Sequence, residues 1–304
     1  MRSISLYSSD PAHGWLPWGV LSPILCILFV AIPAVAGTKV LQYFQLADAR
    51  WQPIGVAGLV AFLVVPFAIT GLVVVAWVRW VERRSLASIG LTSRGSGPSF
   101  VRGLGAGLAT SFLVVMAIWI AGGYEAQSVA RAFASPAALL NIAILLLCFI
   151  VQAGVEEIIF RGWLMSLLAR KFNVVIAVAV TCVVFAALHF GRQTPWHDTV
   201  LTLLFSLFAC CYALNDGNIW GVMGWHAAWN WLLAVGFEVP VTGLDTNMPA
   251  LLVKLVPQGS HWLNGGTQGP EGSLLCGLFF IVATAWLLWR KSQANLRSRE
   301  GVSS

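Results

Sequence analysis

Charged side chains are scarce in this sequence. Asp, Glu, Lys and Arg make up 10% of its 304 residues, and apolar residues make up 58%. A soluble domain is about a quarter charged, so this composition excludes a soluble protein. It also excludes a disordered chain, because disordered segments are poor in apolar residues. The apolar runs are continuous rather than alternating, which argues against a β-barrel. The sequence therefore predicts an all-α fold, a polytopic bundle of transmembrane helices.

Several motifs of common hydrolases and redox proteins are also missing. The sequence has no HExxH zinc-protease motif, no GxSxG serine motif, no CxxC in a loop and no pair of embedded aspartates. These absences argue against the familiar zinc, serine and aspartyl protease classes. The six cysteines all lie in apolar runs, which predicts buried thiols and no disulfide framework. They are Cys26, Cys148, Cys182, Cys210, Cys211 and Cys276.

Eight apolar runs are candidates for membrane crossing, since a helix needs about 20 apolar residues to span the hydrocarbon. The polar opening MRSISLYSSDPAHG and the long first run predict no cleavable signal peptide. Four regions are expected: helices one to three in 1–135, a core of helices four to seven that holds the candidate site residues in 136–237, an extracytoplasmic loop in 238–272, and the last helix with a basic tail in 273–304. The runs are 16–37, 53–79, 100–121, 136–168, 174–190, 198–214, 219–237 and 273–290.

The basic residues lie in loops and predict the orientation of the chain. Arginines concentrate in 79–102, 170–171 and 290–299, whereas the alternate loops hold few: Lys39, Arg50, Arg131, Arg192 and Lys254. This distribution predicts an integral protein of a bacterial cytoplasmic membrane with both termini in the cytoplasm. Basic residues that are spread in this way do not form a nucleic-acid-binding face. The expected partners are the lipid bilayer and a membrane-associated protein or peptide; the oligomeric state is left open.

Two adjacent carboxylates lie inside an apolar run, AILLLCFIVQAGVEEIIFRGWLMSLLAR. A carboxylate near the middle of a bilayer is costly, so both need a reason to be there. Glu157 and Arg161 are spaced i, i+4 and can pair on one helix face. Glu156 is rotated by about 100° and can point elsewhere. The pair explains Glu157 and Arg161 but leaves Glu156 for another task.

Two further apolar runs carry polar groups at the same spacing. In CVVFAALHFG, Phe185 and His189 share a helix face, and in GWHAAWNW, His226 and Asn230 share another. Three helices could therefore converge on one cavity. Glu with His could hold and deprotonate a water, while His with Asn could donate hydrogen bonds to an oxyanion. Alternatively, Glu156, His189 and His226 could bind one zinc ion with an open position for water.

These segments resemble a known family. EEIIFRG, FAALH and HAAWN match the motifs EExxxR, FxxxH and HxxxN of the CAAX proteases and bacteriocin-processing proteins, the CPBP family. That family includes the type II CAAX prenyl endopeptidase and lysostaphin resistance protein A. The segment RRSLASIGL is similar to a basic, leucine-rich stretch of the family. The resemblance covers roughly 80–91 and 145–235.

The resemblance implies an eight-helix intramembrane endopeptidase, a hydrolase of the CAAX type. By this resemblance, Glu156 and His189 activate water, and His226 and Asn230 stabilise the oxyanion. Glu157, Arg161 and Phe185 support the site. Family members are often described as metalloproteases, but the resemblance favours a glutamate-dependent reaction without a cofactor, with zinc as the alternative. A prenylated CAAX-like substrate does not carry over automatically.

Two other functions are compatible with the sequence. One is a non-catalytic immunity or scaffold protein of the same fold, which would tolerate the loss of Glu156. The other is a proton-coupled transporter with Glu156 as its relay. A transporter more often shows duplicated halves, and no internal repeat stands out.

Overall fold

The computed structural model of the protein describes residues 6–8, 10–190 and 196–300, and gives the backbone alone for 294–300. It is a helical bundle that contains three π-helical turns. They are Trp77–Val81, which follows the second helix, Ile158–Leu164, which joins the fourth helix to the fifth, and Leu232–Gly236, which follows the eighth. The α-helices are α1 (Leu21–Tyr43), α2 (Gly55–Ala76), α3 (Ser96–Ile120), α4 (Pro136–Glu157), α5 (Met165–Lys171), α6 (Val174–His189), α7 (Trp196–Asp216), α8 (Trp220–Trp231), α9 (His261–Asn264) and α10 (Leu274–Glu300).

Helix starts agree with local capping chemistry. The Ser135 hydroxyl accepts a hydrogen bond from the Ala138 amide, and Pro136 occupies the first turn of α4. The Asn173 side chain caps α6 by accepting from the Ile176 amide. Asn173 therefore separates α6 from the end of α5, which makes the turn between them short.

The expectation of an all-α membrane bundle is confirmed, but the count of eight spans is not reproduced by helix length. Two of the eight predicted runs form shorter helices, α6 and α8. Within the described residues, six helical segments are long and apolar enough to cross a bilayer: Leu21–Tyr43, Gly55–Val81, Ser96–Ile120, Pro136–Lys171, Trp196–Asp216 and Leu274–Gln293.

Helix α8 is surrounded by protein. Every residue from 221 to 230 is buried. Glycines allow α3 to approach it closely: a Cβ on Gly103 would lie 1.9 Å from the Gly221 carbonyl oxygen, and one on Gly224 would lie 2.2 Å from that of Phe100. Small residues permit this close backbone packing inside membranes. Because α3 and α4 shield α8 from lipid, α8 can carry polar groups.

Two short strands, β1 (Tyr124–Val129) and β2 (Val253–Pro257), pair antiparallel with an irregularity between Ala126 and Ser128. The sequence analysis did not predict them. They join the segment after α3 to the 238–272 connection, which was expected to be a loop. The Tyr124 hydroxyl also donates to the Asn264 carbonyl oxygen at 2.8 Å. The connection is therefore folded against the bundle.

A buried ion pair lies within the arginine-rich segment 79–102. Glu82 and Arg84 are 0% and 1% exposed, and Arg84 Nε lies 2.6 Å from Glu82 Oε2. The other carboxylate oxygen accepts hydrogen bonds from the indole nitrogens of Trp163 at 2.7 Å and Trp77 at 3.1 Å. The cause is the π-helical turn Trp77–Val81, which turns the chain back onto the bundle. Glu82 therefore anchors α2 to the segment between α4 and α5.

The six cysteines are buried and free, as the sequence predicted. The tail arginines Arg297 and Arg299, and Arg192 in the connection between α6 and α7, lie outside the residues whose side chains are described.

We expect Glu82→Ala to destabilise the fold by about 3–5 kcal/mol, because it leaves the Arg84 guanidinium buried without its partner. Thermal unfolding of the detergent-purified protein measures this. The neighbouring Arg83 is exposed, so Arg83→Ala is the matched control and should unfold like the wild type. Equal unfolding temperatures for Glu82→Ala and Arg83→Ala would contradict a structural role for the buried pair.

Candidate active site

The EE motif lies where α4 passes into its π-helical turn. Glu157 is the last residue of α4, and Arg161 lies within Ile158–Leu164. Arg161 Nη1 donates to Glu157 Oε1 at 3.1 Å, and both side chains are 0% exposed. The predicted i, i+4 pairing is therefore present. In an apolar interior, each charge removes much of the desolvation cost of the other.

Arg161 also connects α4 to α6 and α7. Its Nη2 donates to the Ser206 hydroxyl at 3.1 Å, and its Cζ lies 4.6 Å from the centre of the Phe185 ring. A guanidinium over an aromatic face is a favourable cation–π contact. This contact gives Phe185 of the second motif a physical role, since its ring covers the buried cation.

Glu157 has a second partner that spacing could not reveal. Its Oε1 lies 2.8 Å from His226 Nδ1 on α8. One carboxylate therefore joins the first and third motifs. The other ring nitrogen, His226 Nε2, faces Glu156, with 3.8 Å to its Oε2. Glu157 thus fixes the orientation of the imidazole ring and directs Nε2 toward the second glutamate.

Glu156 belongs to a different hydrogen-bond chain. Its Oε1 accepts from Gln152 Nε2 at 2.7 Å, and Gln152 Oε1 accepts from Asn230 Nδ2 at 3.0 Å. Gln152 therefore links the first motif to the third, and the sequence analysis missed it. The signal was available, because Gln152 precedes Glu156 by four residues in the same apolar run.

His189 is the last residue of α6, and it lines the same cavity as Glu156, His226 and Asn230. Its Nδ1 lies 2.8 Å from the Phe185 carbonyl oxygen, and its ring stacks on the Phe185 ring with 4.3 Å between centres. Nε2 is the nitrogen that remains for a ligand. His189 therefore shares a cavity with Glu156 rather than a hydrogen bond, as far as the described residues show.

The four motif groups face one cavity of about 400 Å³. Glu156, His189, His226 and Asn230 all line it, together with apolar rings from α2, α7 and α10. The Glu156 side chain is 14% exposed, whereas that of Glu157 is fully buried. The two adjacent carboxylates are therefore separated as the sequence predicted: Glu157 is enclosed and Glu156 faces the space that a ligand would fill.

The zinc alternative is not supported. In the described part of the chain, no three side chains among His, Cys, Asp and Glu lie close enough together to hold a metal ion. Glu156, His189 and His226 therefore do not form the predicted ligand set, and a description as a metalloprotease finds no support in this geometry.

The cavity extends to groups that were read as loop residues. Glu271 lines it, and its carboxylate accepts from Trp229 Nε1 at 3.0 Å and from the Thr242 amide and hydroxyl at 2.8 Å each. The 238–272 connection is thereby attached to α8. Asp198 at the start of α7 also lines the cavity.

Comparison with known proteins agrees with the motifs. Residues 138–232 match the family described as type II CAAX prenyl endopeptidase Rce1-like. No curated protein and no solved structure matches the chain. The matched segment runs from α4 to the end of α8 and includes every motif residue discussed above. The expected resemblance to the CPBP proteases is confirmed over this segment: residues 138–232 match the Rce1-like type II CAAX prenyl endopeptidase family.

Proposed function

We propose that the chain is an intramembrane endopeptidase that hydrolyses a peptide bond of a membrane-associated protein or peptide. The family match over residues 138–232 supports a CAAX-type membrane protease at the family level. The observation that carries the proposal is the convergence of Glu156, His189, His226 and Asn230 on one cavity inside an apolar bundle. Hydrolysis needs a base, a positioned water and oxyanion donors, and these four side chains provide each type of group.

Glu156 is the proposed base. It is the carboxylate that faces the cavity, and Gln152 fixes its orientation by donating to Oε1. A water held by Glu156 and His189 loses its proton to Glu156, and the hydroxide adds to the carbonyl carbon. The C–N bond then breaks as Glu156 returns the proton to the departing amine nitrogen. Glu156 therefore accepts one proton and gives it back, so that its carboxylate is regenerated.

His226 and Asn230 are the proposed oxyanion donors. With Nδ1 directed at the Glu157 carboxylate, Nε2 is the His226 atom that faces the cavity. Donation from Nε2 needs a proton on that nitrogen, while Nδ1 stays in contact with the Glu157 carboxylate at 2.8 Å. The Asn230 amide has two N–H groups, and Gln152 takes only one. Both donors lie on α8, one helical turn apart.

Glu157, Arg161 and Phe185 are positioning residues in this proposal. Arg161 neutralises Glu157 and ties it to α7 through Ser206, while Phe185 covers the guanidinium and stacks on His189. None of the three needs to touch the substrate. Their effect on the reaction is through the orientation of His226 and His189.

We expect Glu156→Gln to abolish hydrolysis, because the amide cannot accept the proton of water. Purified wild type and variant are compared in detergent on a quenched fluorescent peptide library, with a farnesylated CAAX peptide as a separate arm. Glu125 is exposed on β1, so Glu125→Gln is the matched control and should keep activity. Full activity of Glu156→Gln would refute the protease proposal and leave a binding or scaffold role.

Asn230→Ala should retain measurable turnover. The loss of one oxyanion donor typically lowers the rate by about 100–1,000-fold. His226→Ala should show a loss of similar size or larger, and His189→Ala should remove nearly all turnover, because the water loses a partner. The measurement is kcat in detergent, with the metal content determined on the same samples. Stoichiometric zinc in the wild type, lost in both histidine variants, would replace this mechanism by a metal-dependent one.

Arg161→Ala should reduce folded yield as well as activity, at a cost of about 3–5 kcal/mol, because Glu157 then remains buried without its cation. Arg161→Lys should restore part of the yield but less of the activity. A lysine keeps the charge but has no planar fork to reach Glu157 and Ser206 together. Thermal unfolding and kcat on the same preparations test this. Wild-type values for Arg161→Ala would contradict the positioning role.

A further inference from the structure

The connections at the two ends of the bundle form two distinct faces. At one end, Ser85 donates to Asp10, the Ile219 amide donates to the Gly90 carbonyl oxygen, and Lys291 reaches the Leu214 carbonyl oxygen. These contacts gather residues 10–14, 79–102, 170–173, 214–220 and 290–291 into one surface, which we call the basic face.

The opposite end is formed by other segments. Strands β1 and β2 join 124–129 to 253–257, Thr242 is bonded to Glu271, and the His197 ring stacks against Trp262 with 4.3 Å between centres. The segment between α1 and α2 reaches this end, because Gln52 lines the same cavity as Thr242. We call the surface formed by 44–54, 124–135, 196–198 and 238–272 the cavity face.

Charge distinguishes the two faces. The basic face carries eight cations beside the acids Asp10 and Asp216, and its buried Arg84 is paired with Glu82. The cations are Arg79, Arg83, Arg94, Arg102, Arg170, Lys171, Arg290 and Lys291. On the described cavity face, the cations are Arg50, Arg131 and Lys254, beside the acids Asp48, Glu125, Asp198, Glu238, Asp245 and Glu271. An excess of Lys and Arg marks the cytoplasmic side of a membrane protein. The basic face is therefore the cytoplasmic one.

The active-site cavity reaches the cavity face. The extramembrane residues that line it come from cavity-face segments and include Gln52, Pro53, Thr242, Leu244, Gln268 and Gly272. Among the described lining residues, none comes from a connection of the basic face. A substrate that arrives from water therefore enters between these residues and descends toward Glu156.

The cavity is also negatively charged. Glu156, Asp198 and Glu271 line it, and the described lining includes no Lys or Arg. The Asp198 side chain is buried, and its Oδ1 lies 3.2 Å from His197 Nε2 without forming a hydrogen bond. A peptide with a free terminal carboxylate would meet like charge here, whereas a basic side chain would find a partner.

We propose that the substrate enters from the extracytoplasmic side and is an apolar peptide segment bearing a basic residue. This inference rests on the proposed peptidase activity and specifies its substrate class. The substrate is then an exported or membrane-spanning polypeptide rather than the carboxyl-terminal tail of a cytoplasmic protein. Asp198 is the residue that sets the preference for the basic side chain.

The side of access is tested by blocking one face at a time. Single cysteines are introduced as Gln52→Cys on the cavity face and as Ser93→Cys, an exposed residue of the basic face, in a background without the native cysteines. In sealed proteoliposomes, each is treated from outside with a bulky, membrane-impermeant maleimide, and a fluorogenic apolar peptide is added outside. Labelling at 52 should lower cleavage at least about tenfold relative to the same unlabelled sample, since the tag fills the entrance. Labelling at 93 should not change it.

Loss of cleavage on labelling at 93 but not at 52 would overturn the assigned entrance. In intact cells, the same reagent should label position 52 directly and position 93 only after permeabilisation; the reverse pattern would overturn extracytoplasmic access. In detergent both faces are open, so absence of cleavage there by the wild type refutes the proposed function itself. The two failures are thereby distinguishable.

The charge preference is tested with matched peptides. Two apolar peptides differ only in carrying one Lys or one Glu near the cleaved bond. We expect the wild type to cleave the Lys peptide at least about tenfold faster in kcat/KM, and Asp198→Asn to reduce that ratio through a higher KM for the Lys peptide. Equal rates, a preference for Glu, or an unchanged ratio in Asp198→Asn would overturn the assignment of a basic residue.

Discussion

Inside a membrane bundle, a charged group is stable only when another group neutralises it. Here one carboxylate, that of Glu157, contacts both Arg161 at 3.1 Å and His226 at 2.8 Å. Arg161 in turn reaches Ser206 and the Phe185 ring. Because each contact joins a different helix, the electrostatic requirement of a single buried acid fixes α4, α6, α7 and α8 relative to one another. The geometry of the cavity follows from that arrangement.

The same constraint explains why two adjacent glutamates differ in role. Consecutive residues on a helix point about 100° apart, so one environment cannot satisfy both. Glu157 is enclosed and contacts both Arg161 and His226 through Oε1, whereas Glu156 is bonded to Gln152 on one oxygen and faces the cavity with the other. A carboxylate that must accept a proton has to keep an oxygen available. The neighbouring carboxylate maintains the structure, which leaves an oxygen of Glu156 available for the proposed reaction.

Spacing along one helix was readable from the sequence, but contacts between distant segments were not. The i, i+4 pairs of Glu157 with Arg161 and of His226 with Asn230 follow from helical periodicity, and convergence followed from the cost of polar groups in apolar runs. The bond between Glu157 and His226 spans 69 positions, and no local pattern indicates it. The burial of Glu82 and Arg84 was not readable for a similar reason: the Trp163 indole that bonds to Glu82 is 81 positions away.

The 238–272 connection lies against the cavity, and the short helix α8 explains how it can do so. Non-helical backbone is tolerated at membrane depth only where protein buries it or a cavity is lined by it. Helix α8 ends at Trp231, after 12 residues, with the turn Leu232–Gly236 completing it, and α3 shields it from lipid through close glycine contacts. The chain can therefore leave α8 early and return over the cavity, where Thr242 and Trp229 bond to Glu271. A full-length, lipid-facing helix in the place of α8 could carry neither His226 nor this folded entrance. Shielding by α3 and α4 thus lets α8 carry polar groups, and its early end lets the chain return over the cavity.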